Sequence, residues 1–323
     1  MKTKIRLLST ALFLMVLPIM SNAQTLRLGM ITPPSHQWTK SAEAFAEELS
    51  ERTEGRIEVN IYPSGQLGNE AMMLQQMQRG ALDGAFLAAG EISNRRSNFA
   101  ALFAPYLVDT IEQARTLLHG ETAKEMLEEL SSLGLVGLGY GTAGMRQILV
   151  NREVNTVDDL TGRKIRTMPV EPERDFWIKL GAAPTPLPLP ALYDAFANGQ
   201  IDGMQIDFEG TWNTRYLDHA EIVIDSSHML LPMVAVFSGR TWQTLQDGDR
   251  EIIKQLVTKH LDEMFKVYSE LDEVYLGKIK ESGAKVVKVD REFFGSSIDS
   301  WYEEWRKRAP ALVALEKEAA QLK

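Results

Sequence analysis

The chain contains no cysteine. That excludes a disulfide scaffold, a thiolate nucleophile and cysteine-based metal binding. It also excludes the cysteine on which a bacterial lipoprotein is anchored. Histidine is scarce, with five in 323 residues (His36, His119, His219, His228, His260), and none pair at metal-ligand spacing. His219 and His228, beside Asp218 and Asp225, make the best case for a metal, and it is a poor one. Neither a metal nor a cofactor is expected. The enzyme signatures HExxH, GxSxG, the Walker A loop and GxGxxG are all missing. Gly137-Leu138-Gly139-Tyr140-Gly141 is rich in glycine, but its spacing is wrong and no helix follows it. Carboxylates are abundant, yet almost all fall on expected exposed helix faces, so no acid/base pair stands out.

Positive charge is also short: 35 Lys and Arg face 44 Asp and Glu, for a formal net charge of −9. Three of the positive residues, Lys2, Lys4 and Arg6, open a stretch that reads as a secretory signal peptide over residues 1–23. An apolar run from Leu7 to Met20 follows, and Ser21-Asn22-Ala23 supplies small residues for cleavage before Gln24. The run is short for a membrane anchor and is broken by Pro18. No later stretch approaches a membrane span. Removing residues 1–23 takes away three positive and no negative charges, so −9 becomes −12. Such an acidic body is unsuited to nucleic acid. A small anion would have to be held by local cations against the overall field. Export without disulfides suits a periplasm, and the remaining length is large for one core, which points to two lobes.

The pattern of elements agrees. Thr25 to Ile31 alternates as a strand, Trp38, Ala42, Phe45 and Leu49 recur at helical spacing, and Arg56 to Tyr62 is a second strand. Asn69 caps a helix ending near Gly80, and Leu82 to Ala88 is a third strand. The βαβαβ order implies a mainly parallel sheet flanked by helices. Leu135 to Tyr140 is a further strand, and Gly141-Thr142-Ala143-Gly144 reads as a flexible breaker at the first crossover between lobes. A second βαβαβ layout runs from Met145 to Tyr216. The apolar run Met229 to Ser238, interrupted by Pro232, is the crossover back. Asp249 to Glu281 reads as one long amphipathic helix, with Ile253, Val257, His260, Met264, Val267, Leu271 and Val274 as its stripe. Asp290 to Lys323 reads as helical. The expected bodies are 24–143 with 232–271 as lobe I, and 144–231 with 272–323 as lobe II.

Candidate site residues stand at strand ends, where open α/β sheets bind ligands. In Asp159-Leu160-Thr161-Gly162-Arg163-Lys164-Ile165-Arg166, a turn feeds a short strand. If Ile165 faces the core, Arg166 faces away from it, because side chains alternate. A guanidinium matches a carboxylate through two parallel charge-assisted bonds. Arg146, just past the first crossover, is a second candidate, although a lone arginine is most often a solvated surface residue. Gln205 and Asp207 end the strand Ile201 to Asp207, in a position that reads as equivalent to Arg166. Trp38, Phe86, Trp177 and Trp212 are candidate apolar walls, with His36 and Phe208 beside them, though aromatics are more often core.

Six stretches, in order, resemble one family. They are Tyr62-Pro63-Ser64-Gly65-Gln66-Leu67-Gly68, Gly80-Ala81-Leu82-Asp83, Leu102-Phe103-Ala104-Pro105-Tyr106-Leu107, the Asp159 to Arg166 segment, Gly181-Ala182-Ala183-Pro184-Thr185-Pro186 and Asn198-Gly199-Gln200-Ile201-Asp202-Gly203. Each alone is weak; together they resemble the solute-binding proteins of TRAP (tripartite ATP-independent periplasmic) transporters, of the DctP type. The resemblance implies a two-lobe periplasmic binding fold that closes on its ligand, with crossing strands and a long helix joining the lobes. It implies that Arg166 binds a ligand carboxylate, that Arg146 assists, and that the chain is a monomer and not an enzyme. It implies small and large membrane permease subunits as partners, driven by an ion gradient. Two departures stand out. Ile206 replaces an asparagine that helps hold the carboxylate in acid-binding members, and Ala88-Ala89-Gly90 replaces an acidic residue found in sialic-acid types. A receptor for a small organic acid is the leading reading. A ligand sensor feeding a signalling partner, or a hydrolase or lyase on an anionic substrate, are the alternatives.

Overall fold

A computed structural model describes residues 23–323. The signal-peptide reading of residues 1–23 lies, apart from its last residue, outside the described residues. The strands are β1 (Gln24–Met30), β2 (Ile57–Tyr62), β3 (Gly84–Ala88), β4 (Leu135–Met145), β5 (Gln147–Val150), β6 (Lys164–Thr167), β7 (Ala183–Pro186), β8 (Gly203–Ile206), β9 (Ile222–Asp225), β10 (Leu230–Ser238) and β11 (Lys285–Lys288). They form two sheets, in the orders β2-β1-β3-β10-β4 and β11-β9-β5-β8-β6-β7. β1 is parallel to β2 and β3, and β6 is parallel to β7 and β8. In each sheet the antiparallel strand is the one that arrives from the other: β10 against β3 and β4, and β5 against β8 and β9. The chain therefore changes lobe at Met145-Arg146-Gln147 and again between β9 and β10.

Local chemistry explains the elements. In the helix Gln37–Arg52, the buried residues Trp38, Ala42, Phe45 and Leu49 follow the 3.6-residue period, and His36 caps the start by accepting from the Trp38 N–H at 3.1 Å. Asn69 caps Glu70–Arg79 in the same way, and Gly80 ends it in the left-handed region at φ 73°. Asp207 caps Phe208–Asn213, accepting from the Gly210 N–H at 2.6 Å.

Some expectations are corrected. The Gly141-Thr142-Ala143-Gly144 stretch is not a breaker: β4 runs through it to Met145, with Thr142 paired to Pro232 and Gly141 to Met233. A Cβ on Gly141 would lie 2.8 Å from both Met233 Cε and Met264 Sδ, so glycine there lets the long helix pack closely on the sheet. Pro232 is tolerated at a register shift, one residue before the pairing with β3 begins. The long helix spans Asp247–Glu281, acidic at its start and with Lys278 and Lys280 at its end, in line with its dipole. Its buried face follows the expected stripe through Met264, then shifts to Tyr268, Tyr275 and Ile279, leaving Val274 half exposed. The shift marks where the helix leaves the first lobe and meets Phe208–Asn213 of the second.

The carboxyl tail is not one helix. A short 3₁₀ turn is followed by the helices Ser297–Arg308 and Ala311–Ala320, separated at Ala309-Pro310. The first strap touches both lobes: Trp301 Nε1 donates to the Pro172 carbonyl at 2.9 Å and the Tyr302 hydroxyl to that of Pro105 at 3.0 Å. The second packs against residues of the first lobe, with Glu318 accepting from the Thr122 hydroxyl at 2.5 Å.

Candidate functional site

A cavity of about 800 Å³ lies between the sheets, at the carboxyl ends of β1, β3, β6 and β8. First-lobe residues reach it from the ends of β1 and β3 and the starts of the helices Gln37–Arg52 and Glu70–Arg79. Second-lobe residues reach it from β6, from the Pro188-Leu189-Pro190 loop after β7, and from the helix after β8. Polar side chains converge on a largely apolar floor that includes Ile31, Met168, Ile206 and Leu231.

Arg166 is 2% exposed, and its Nε donates to the Leu187 carbonyl at 2.9 Å. Among the described residues its terminal nitrogens make no hydrogen bond and it has no ion-pair partner. Burial draws its pKa down, with Glu173 opposing, but a guanidinium remains protonated. It is therefore a desolvated cation with its fork toward the cavity. Arg146 is equally buried but committed: NH1 donates to Asp207 Oδ2 at 3.1 Å and NH2 to the Gln205 carbonyl at 2.8 Å, while Nε is buried without a partner. Asp207 lines the cavity with both oxygens occupied, one by Arg146 and the other by the helix N-terminus it caps. Trp38 and His36 line it too, Trp38 being fixed by an Nε1–H bond to the Thr142 carbonyl at 2.7 Å.

Five sequence candidates do not line the cavity: Gln205, Trp177, Phe86, Phe208 and Trp212. Gln205 is fully buried behind it: its Oε1 accepts from Trp177 Nε1 at 2.9 Å and from His228 Nε2 at 3.0 Å. The reason is register. Arg166 pairs with Met204, so Met204 and Ile206 share the face of Arg166, whereas Gln205 shares that of Ile165. His228 is held neutral, its pKa pulled to about 3 by burial and by Arg146, and its ring stacks on Phe176 at 5.3 Å. Trp177 is part of the same buried cluster. Phe86 lies in the core, two residues short of the mouth of β3, where Ala88 reaches the cavity. On Phe208–Asn213 the cavity face carries Glu209, Gly210 and Asn213; the helical turn puts Phe208 into the second-lobe core and Trp212 at its edge.

Sequence reasoning missed Glu70, Glu91, Arg95, Tyr193, Glu209 and Tyr216, all of which line the cavity. Glu70 is half-buried, with Oε1 accepting from the Ala88 N–H at 2.7 Å. Desolvation pushes its pKa up to about 7; the Ala88 bond and Arg166 oppose this, and Glu91 adds to it. Glu91 pairs with Arg95 at 2.5 Å. Glu70 and Glu209 stand in the first turns of helices that follow sheet strands, a positional signal that was available in the sequence.

His36, Asp207 and Glu209 offer ligand atoms within 4.8 Å of one another. Their chemistry does not suit a cation. His36 Nδ1 is used as the cap, so its other nitrogen carries the proton, and Glu209 accepts from the Gln37 N–H at 2.9 Å and the Tyr268 hydroxyl at 2.5 Å. Arg146 already neutralises Asp207.

Two α/β lobes linked by crossing strands, with a cavity of convergent polar groups between them at the strand ends, define a two-lobe ligand-binding protein. The chain belongs to the DctP family, described as bacterial extracellular solute-binding protein, family 7, whose model matches residues 28–308. It is a binding protein and not an enzyme. It is 25% identical to the sialic acid-binding periplasmic protein SiaP of Vibrio cholerae, over 94% of this chain and 95% of that one. Its fold is that of the sugar acid binding protein DctPAm of Advenella mimigardefordensis, solved with galactonate: TM-score 0.89, 22% identity, covering 93% of this chain and 99% of the other. A TRAP periplasmic solute binding protein of Ochrobactrum anthropi, solved with its C-terminus bound in the ligand-binding pocket, aligns with TM-score 0.83 at 26% identity, over 94% and 96% of the two chains.

Proposed function

We propose that this protein is the periplasmic receptor of a TRAP-type transporter. It captures a small carboxylate on Arg166 and offers the closed, loaded form to a small and a large membrane subunit. It works as a monomer, exported by a cleaved signal peptide at residues 1–23. The moving bodies are 24–143 with 232–271 and 144–231 with 272–323. The observation that carries the reading is the desolvated Arg166 guanidinium at the cavity, which has no carboxylate within ion-pair distance among the described residues. A carboxylate ligand supplies the missing partner through two parallel bonds. Relatives that bind sialic acid and galactonate support it.

Removing one member of a buried charge pair costs on the order of 2–5 kcal/mol. Arg166→Ala therefore loses at least about 30-fold in affinity for the ligand, measured by calorimetry with whichever carboxylate raises the melting temperature of the wild type. Arg166→Lys also binds weakly, because an ammonium lacks the planar fork. Unchanged affinity in Arg166→Ala would overturn the assignment.

A further inference from the structure

We propose that Glu173 is the internal counter-charge of Arg166: it sustains the buried guanidinium in the empty protein and weakens its hold on a ligand anion. The inference rests on Arg166 being the anchor, but it concerns a residue that does not line the cavity.

Glu173 stands in the first turn of the helix Glu171–Lys179, which follows β6 and Arg166. With Phe176 and Trp177, at i, i+3 and i+4, it belongs to the buried face of that helix, and it is 0% exposed. Its Oε1 accepts from the Met168 N–H at 2.9 Å, which fixes the side chain at the carboxyl end of β6. Its Oε2 is buried without a hydrogen-bond partner, and so is Arg146 Nε. A glutamate is almost never buried to this degree without a cation to offset its desolvation. Burial pushes the pKa of Glu173 up, and Arg146 and then Arg166 draw it back down. On Arg166, burial draws the pKa down and Glu173 opposes it most, with Tyr216 and Glu70 adding less.

The charges around the two arginines balance only if Glu173 is counted. Gln205 and Trp177 carry no charge, and His228 is neutral. Asp207 is committed to Arg146. That leaves Glu173 as the buried anion for Arg166, in a group of two cations and two anions. A counter-charge on the far side of the guanidinium acts on the ligand only through Arg166. It lowers the cost of an unpaired cation in the empty site, and it subtracts from the field that a ligand carboxylate meets. Its removal therefore moves two quantities in opposite directions: the empty protein loses stability, and the bound carboxylate is held more tightly. A role in packing alone would lower both.

Glu173→Gln keeps the shape of the side chain and an acceptor for the Met168 N–H while removing the charge. Urea denaturation of the full mature chain without ligand compares Glu173→Gln, Arg166→Gln and the double variant. The expected result is a lower midpoint for Glu173→Gln, and a double variant more stable than the sum of the two single losses by about tenfold in the unfolding constant. Calorimetry at pH 7 with D-galactonate, D-galacturonate and orotate as probes reads the other side. Glu173→Gln is expected to bind the acid that the wild type binds about tenfold more tightly, the change for roughly one unit of pKa-sized interaction. Failure of Glu173→Gln to fold, with folding restored in the double variant, supports the counter-charge, and failure of both overturns it. Additive stabilities, or acid binding unchanged or weakened in Glu173→Gln, overturn this inference and leave the receptor reading intact. A wild type that binds none of the three acids counts against the receptor reading, and the denaturation series then decides the link between Glu173 and Arg166 by itself.

Discussion

At the scale of single residues, the site is a matter of which polar groups are already committed. Arg166 and Arg146 look alike in sequence, and both are buried at the cavity. What separates them is Asp207, which holds Arg146 and leaves Arg166 as the open cation. Glu70 is a cavity-lining acid that titrates near neutrality. Its pKa rises from 4.5 to about 7, chiefly through desolvation and then through Glu91, against the Ala88 N–H and Arg166. A raised carboxyl favours the folded state while protonated. Its contribution to stability is thus complete below about pH 4.5 and lost as pH climbs through 7. The same sign governs binding: a ligand carboxylate on Arg166 makes Glu70 harder to ionise. Affinity for a carboxylate is therefore expected to fall between pH 6 and pH 8, by up to about tenfold per pH unit above 7. Calorimetry across that range checks it. Glu70→Gln flattens the profile, and a wild type without slope shows that Glu70 does not face the ligand. Arg166 was legible in the sequence because alternation about Ile165 needs only one strand. Gln205 was misplaced because its face depends on the pairing of Arg166 with Met204, and pairing register between distant strands is not written locally. Glu91 was invisible among many acids, since a helical glutamate looks solvated until its neighbours are known, and Glu70 was marked only by its place in the first turn of a helix after a strand.

At the scale of elements, the first helix does more than fill the core. Its amino terminus points across the cleft, where the Gln37 N–H bonds Glu209 Oε1 at 2.9 Å and His36 Nε2 lies 3.7 Å from Oε2. A helix start carries unpaired N–H groups and partial positive charge, so a carboxylate from the opposite lobe is a fitting partner. Glu209 is 2% exposed, and the Tyr268 hydroxyl on the long helix holds its second oxygen at 2.5 Å. Burial keeps Tyr268 protonated, its pKa raised well above the ordinary value with Glu209 adding to the effect. Glu209 thus ties closure to the long helix. Glu209→Ala leaves the Gln37 N–H without its partner in the closed form, at about 1–3 kcal/mol. Ligand dissociation should be faster by on the order of tenfold, read by stopped-flow fluorescence. Tyr268→Phe keeps the cross-cleft bond and should dissociate at close to the wild-type rate. An equal effect from both variants indicates a general loss of packing instead. The helix itself was legible from Trp38, Ala42, Phe45 and Leu49. The glycine-rich end of β4 was not, because the glycines look like a breaker until Met233 and Met264 are seen pressing on the site of a missing Cβ.

At the scale of the molecule, the order of strands says how the lobes move. The crossing strands β4 and β10 lie together at one edge of the first sheet, and β2 is the opposite edge. In the second sheet, β5 and β9 carry the crossings and β7 is the far edge on the side of Arg166. The loops after β2 and β7 are thus distant from the crossings, and they meet: a Cβ on Gly65 would lie 3.7 Å from Pro190 Cγ. Both flank the cavity, Ser64 and Pro190 being among its walls. This is the mouth of the cleft, and the two lobes touch across it. Hinge motion about the crossings opens the molecule here first. The absence of cysteine makes the motion measurable, because two introduced thiols are the only ones to label. Gln66 and Asp194 are exposed, one on each side of the mouth and outside the contact itself. With spin labels on Gln66→Cys and Asp194→Cys, pulsed dipolar spectroscopy is expected to give two distance populations without ligand. A saturating carboxylate ligand should collapse them onto the shorter. Ligand shifts such an equilibrium only by its preference for one state. Adding Arg166→Ala should leave the longer population in place at the same ligand concentration. A single short distance with and without ligand would mean that the mouth does not open, and that capture proceeds through motion elsewhere.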